Sequence, residues 1–144
     1  MLEQEYKRAV ANALRTMGWS IQEHEDRQAS FIPDLSFGTH GIDGWIEVKY
    51  RDRMPPLGLG SIRHYTKGQE DWLIDRAAAG SGQCYLLLGT AHGSYAWHHS
   101  ALRNARAATW VGAQSLCCCR APGEGGYVLP IAECLNAMII GRKK

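Results

Sequence analysis

The sequence predicts an α/β fold, and three stretches carry that prediction. Residues 2 to 17 repeat apolar side chains at spacings of three and four, as an amphipathic helix does. Residues 31 to 50 hold two β-prone runs around a glycine-containing turn, which reads as a hairpin. Residues 66 to 79 form a second helix that leads into Gln83 to Gly89, an apolar run of strand length suited to the centre of a sheet. The chain has 144 residues, which predicts one domain, 1–144, around one core.

Composition narrows the class. Apolar residues make up 45% and charged residues 21%, the proportions of a soluble globular protein without repeats or low-complexity tracts. The opening MLEQEYKR has no apolar segment of the kind a signal sequence needs, and no apolar run approaches the roughly 20 residues of a membrane span. A soluble, cytoplasmic protein is expected, without a membrane partner. Net charge is only +2, but residues 1 to 50 hold eight acids and five bases while 51 to 144 hold six acids and eleven bases. Residues 77 to 123 lack Asp and Glu and carry Arg103, Arg106, Arg120 and three histidines, which suits a phosphate backbone. The five cysteines are an odd number in a chain with no secretory signal, so reduced thiols are expected. Cys117, Cys118 and Cys119, with His98 or His99, invite a zinc reading, but the paired C-x₂-C spacing of structural sites is missing.

In the first helix Leu2, Tyr6, Ala9, Val10, Ala13, Leu14 and Met17 form the apolar stripe, and Gly18 stops it. Glu3 lies at the edge of that stripe beside Val10 and Leu14, whereas Glu5 points to solvent with Arg8, Asn12 and Thr16. Trp19 to Glu25 alternates like an edge strand, and Asp26 to Ser30 is a polar connection into the hairpin. There Phe31, Leu35 and Phe37 make the first strand, Gly41 to Gly44 the turn, and Trp45, Ile46, Val48 and Tyr50 the second. After Tyr50, Pro55-Pro56, Gly58 and Gly60 oppose regular structure, and Arg51, Arg53, Arg63 and His64 mark the segment as a mobile substrate loop. Thr66 opens the next helix, with Trp72, Leu73, Ile74 and Ala77 available for burial and Gly80-Ser81-Gly82 closing it. Ser94 to Trp97 can pair with the 83–89 strand. Beyond it the pattern predicts a short helix over 100–107, a loop or strand over 110–119, and a helix over 131–140 before the basic tail Arg142-Lys143-Lys144.

The hairpin carries the chemistry. With a period of two, Glu47 and Lys49 share one face of the second strand while Ile46, Val48 and Tyr50 turn to the other, so one face is chemical and one is core. Asp34 precedes Glu47 by thirteen positions, and antiparallel pairing can bring the two carboxylates together. Two hard oxygen ligands beside an amine suit Mg²⁺, which takes one or two carboxylates plus water and phosphate oxygens.

Pro33-Asp34, twelve residues, then Glu47-Val48-Lys49 resembles the PD-(D/E)XK nuclease superfamily, and within it the viral-type replication and repair nucleases (VRR-NUC) and the archaeal-type Holliday-junction resolvases. The resemblance covers roughly residues 2 to 90. It implies a restriction-endonuclease-like fold, a central mixed sheet flanked by helices. It also implies an acid on the first helix, matched by Glu3, and a Gln on the helix after the Glu-x-Lys, matched by Gln69. Gln69 has a second explanation, since it completes a capping box with Thr66.

The implied activity is Mg²⁺-dependent hydrolysis of DNA phosphodiester bonds, with Mn²⁺ able to substitute. Asp34, Glu47 and the backbone carbonyl of Val48 would hold the metal, Glu3 would support a metal-bound water or a second ion, and Lys49 would position or deprotonate the attacking water. Arg51, Arg53, Arg63, His64 and Lys67 would contact the DNA backbone. The products implied are 5′-phosphate and 3′-hydroxyl ends, in replication, recombination or repair. Two other readings stand beside it: a non-catalytic nucleic-acid-binding module on the same fold, and a sequence-specific homing-type endonuclease. The resolvases it resembles are homodimers, and Trp97, Trp110, Val111, Cys117 to Cys119, Ile131, Leu135, Met138 and Ile139 offer either a dimer interface or the monomer's own core.

Overall fold

Helix α1 (Glu3–Thr16) buries Tyr6, Lys7, Val10, Ala11 and Leu14, so its inner face follows the predicted stripe with three changes. Leu2 precedes the helix and is 68% exposed, while Lys7 and Ala11, outside the predicted stripe, are buried. Glu5, Arg8, Asn12 and Thr16 face solvent as expected. Each fully buried Val or Leu here stabilises by about 1.5–3 kcal/mol relative to exposure. The structure, a computed structural model, describes residues 1–24, 31–55, 57–80, 82–122 and 128–143. The predicted 26–30 connection, Pro56, Ser81 and the contacts of the basic tail lie outside what it describes.

Strand β1 (Ser20–Glu23) pairs with β2 (Leu35–Thr39), and β2 pairs antiparallel with β3 (Ile42–Arg51). The hairpin turn is tighter than the sequence suggested. Thr39 pairs with Ile42, leaving His40 and Gly41 as a two-residue loop, both with positive φ (53° and 78°), the conformation that matches strand twist. Gly44 is therefore not a turn residue. It lies in β3, where a Cβ would collide with the Gln83 carbonyl, so its role is close approach to the next strand.

Helix α2 (Lys67–Ala78) carries the chain across to β4 (Gln83–Thr90), which runs parallel to β3 over Gly44 to Arg51. A parallel neighbour needs such a crossover. β5 (Gly93–His98) and β6 (Cys119–Pro122) follow antiparallel, and among the described residues the sheet order is β1-β2-β3-β4-β5-β6. This is a mixed six-stranded sheet with helices on both faces. Helix α1 and helix α5 (Val128–Lys143) cover one face through Val10, Leu14, Ile131, Leu135 and Ile139, packed on Leu35, Ile46, Val48 and Leu87. α2, helix α3 (Leu102–Ala107), helix α4 (Trp110–Ser115) and the 51–65 segment cover the other, on Cys84, Leu86, Leu88 and Trp97.

Several expectations change accordingly. The 110–119 stretch is helix α4 and then the edge strand β6, because Thr109 caps the helix by accepting from the Gly112 amide. Phe31 precedes the hairpin strand instead of joining it. The 51–65 segment contains a 3-10 turn at Leu59–Ser61, and Leu59, Ile62 and Tyr65 are buried, so apolar anchors pack it down where glycine and proline suggested a free loop. The proposed dimer surface is largely spent inside the chain: Trp97, Ile131, Leu135 and Ile139 are fully buried and Cys119 nearly so, while Val111 stays exposed. No helix among the described residues is long and apolar enough to cross a membrane.

Candidate metal-dependent active site

The β2–β3 register defines the site. Leu35 pairs with Ile46, so one more step places Asp34 opposite Glu47, as the thirteen-residue spacing predicted. β2 begins only at Leu35, and beyond Ile46 the β3 edge on that side has no strand partner among the described residues. Its amides are taken by acids: Val48 N donates to Asp34 Oδ2 (2.9 Å) and Tyr50 N to Glu3 Oε1 (3.1 Å). A residue in an extended strand offers its N–H and C=O to the same side, so the Val48 carbonyl opens onto this edge beside Asp34. Glu3, from the first turn of α1, thus joins Asp34 along the edge.

Glu47 and Lys49 lie on the opposite face from Ile46 and Val48, but that face is also covered, and the two are 2% and 5% exposed. Chemistry and core therefore share it. Lys49 Nζ stands 3.7 Å from Glu47 Oε1, while no donor among the described residues reaches the buried Glu47 Oε2. A buried acceptor left so costs about 1–3 kcal/mol. Burial first, then contact with Asp34 and its charge, push the Glu47 carboxyl up to about 9; Lys49 opposes the shift and Glu3 adds to it.

The sequence reading missed Lys7. Its ammonium, 3.8 Å from Asp34 Oδ1, enters from α1. The signal was available: Lys7 follows Glu3 by four residues and precedes Val10 and Leu14 by three and seven, so it lies on the helix face that put Glu3 beside them. Asp34 is thereby held on both oxygens, one by a backbone amide and one by an ammonium.

Two predicted participants sit elsewhere in function or place. Gln69 is used in the capping box, its Oε1 accepting from Thr66 N (3.0 Å) while Gln69 N donates to Thr66 Oγ1 (3.2 Å). Lys67 is exposed at the start of α2. Arg51, Arg53, Arg63 and His64 do come together, lining an open cleft with Glu3 and Tyr50. Arg51 Nη1 is fixed by the Ser61 carbonyl (2.8 Å).

The donor set fits a hard divalent cation. A buried carboxylate oxygen lacks a partner, a second carboxylate lies opposite, and a backbone carbonyl opens beside them. Among the described residues no three His, Cys, Asp or Glu side chains converge on one point, so water and substrate oxygens would complete the shell, as Mg²⁺ prefers and Zn²⁺ does not. The Cys117–Cys119 run accordingly makes no such cluster.

The sequence matches no family model and no curated protein. Its fold is similar to that of Hjc, a Holliday junction resolvase from the archaeal hyperthermophile Archaeoglobus fulgidus, with a TM-score of 0.53 and 18% identity over 68% of this chain and 73% of that one. That likeness shows a shared fold.

Proposed function

We propose that the protein is a Mg²⁺-dependent endonuclease that hydrolyses phosphodiester bonds in branched, flapped or nicked DNA. The observation that carries this reading is the Asp34–Glu47 pair at the open β3 edge, with a buried, unpartnered Glu47 oxygen and Lys49 beside it. The likeness of fold to a Holliday junction resolvase supports it. Burying a carboxylate oxygen that no donor reaches, with a second acid beside it, is a cost that a structural role does not explain.

Asp34, Glu47 and the Val48 carbonyl would hold Mg²⁺, which when bound polarises the phosphoryl oxygen and lowers the pKa of its water. Lys49 orients the attacking water against phosphorus, whose bond to the 3′-oxygen breaks as the new P–O bond forms. Glu3 accepts a hydrogen bond from a second water at the same edge. Lys7 holds Asp34 in place, and its charge offsets part of the repulsion between Glu3, Asp34 and Glu47. Resolving a four-way junction requires two cuts, so two copies would act together there, through a surface other than the buried C-terminal residues.

Purified protein with Mg²⁺ is offered matched linear, nicked, flapped and four-way-junction DNAs. Cleavage of a branched or nicked substrate in preference to the linear duplex is expected, with 5′-phosphate ends. Binding of all four without any cleavage, in Mg²⁺ or Mn²⁺, would overturn the enzyme reading in favour of a binding module.

A further inference from the structure

We infer that the cleft at the C-terminal end of β3 is the path of an unpaired strand of the substrate, an assignment that rests on the nuclease reading. The cleft measures about 500 Å³ and is lined by Glu3, Tyr50, Arg51, Arg53, Arg63 and His64. Glu3 ties it to the carboxylate site, because the same side chain accepts the Tyr50 amide two residues beyond Val48. Its volume lies within the range of roughly 300–1,000 Å³ found for small-molecule pockets, room for about one or two nucleotide units inside it.

Its walls have the chemistry of a single-strand site. Three guanidiniums and an imidazole outweigh the two acids, Glu3 and Asp52. Arg53 and Arg63 are exposed and have no ion-pair partner among the described residues. Arg63 and His64 stand between two buried anchors, Ile62 and Tyr65, and Tyr65 is clamped by its hydroxyl on Glu70 Oε1 (3.2 Å) and by Arg106 over its ring (5.0 Å). His64 has φ 67°, the left-handed region that a side chain with a Cβ seldom occupies. A packed framework therefore holds these cations in a strained turn, an arrangement that clusters at ligand sites. Tyr50 adds a half-buried ring backed by Tyr6 at 5.4 Å between centroids. Aromatic faces in a cationic groove bind unpaired bases, whereas bases inside a duplex are already stacked.

The test uses Glu47→Gln protein, so that binding is read without cleavage. It is titrated by fluorescence anisotropy with labelled oligothymidylate and with a blunt duplex of equal length, at several salt concentrations. The single strand is expected to bind more tightly than the duplex. Adding Arg53→Ala and Arg63→Ala should weaken the single strand about tenfold and flatten its salt slope by about 1.4, since each lost phosphate contact on a single strand removes about 0.7. Tyr50→Leu should weaken it without changing the slope. Equal losses on duplex and single strand, or no loss, would overturn the assignment. If the parent cleaves no DNA yet these differences persist, the hydrolytic reading fails and the cleft stands; cleavage without the differences gives the reverse.

Discussion

Glu47 and Glu70 are both buried glutamates on the helix α2 side of the sheet, 2% and 1% exposed, and they are treated in opposite ways. Glu70 Oε1 receives the Tyr65 hydroxyl (3.2 Å) and Arg106 Nε (2.9 Å), each from a different segment. It joins α2, the 51–65 segment and α3. Glu47 meets Lys49 on one oxygen at 3.7 Å and leaves the other without a donor. A buried carboxylate with donors in place is a structural tie; one with an oxygen that no donor reaches and a second acid opposite has the chemistry that a bound cation would satisfy. The network at Glu70 is not perfectly closed either, since one Arg106 terminal nitrogen is buried without a partner.

The contrast is broken most strongly by removing the acids. Asp34→Ala and Glu47→Ala should each lower DNA cleavage by about 1,000-fold or more, because metal coordination supplies several kcal/mol of transition-state stabilisation. Both variants should keep the parent's circular dichroism. Undiminished rates would remove the metal site. Glu70→Gln should do the opposite: it strands the partly buried Arg106 charge and should destabilise the fold by about 3 kcal/mol, with cleavage largely kept in the folded fraction. Urea denaturation separates the two, and a Glu70 variant as stable as the parent would show that the tie is not structural. Next comes Lys49→Ala, expected to slow cleavage about 100-fold while DNA affinity changes little, since one contact among several is lost. Full activity in that variant would misplace the lysine.

A smaller effect follows from the raised Glu47 carboxyl. With burial and Asp34 raising the Glu47 carboxyl from 4.5 to about 9, the folded protein should hold a proton between these values that the unfolded chain has released. Stability of the metal-free protein should therefore fall as pH rises from about 4.5 to about 9 and level off above. Glu47→Gln should flatten that slope in denaturation curves at pH 6 and 8.5. Parallel slopes in parent and variant would contradict the shift.

The placement of the candidate residues was legible because it is arithmetic. Period-two alternation set Glu47 and Lys49 on one face, and hairpin pairing over thirteen residues brought Asp34 opposite Glu47. That Glu47 would also be buried was not legible, since it depends on α2 and the 51–65 segment closing over the same face. Helix α4 and strand β6 escaped for a related reason: at six and four residues they show no more than two periods, and their stability comes from Trp97, Ala113 and Cys119 packing on elements distant in sequence. Lys7 was hidden by its type. Its helical position matched the buried stripe, and only its partner Asp34, on another element, makes burial of an ammonium tolerable.

Mg²⁺ titration by calorimetry near pH 7, in two buffers of different ionisation enthalpy, tests the account most directly. One ion per chain should bind with release of about one proton, because Glu47 must ionise to accept it. Proton release should vanish in Glu47→Gln, and binding should weaken in that variant and in Asp34→Ala. Binding that leaves the proton in place, or that is indifferent to both substitutions, would contradict a metal centre at this edge.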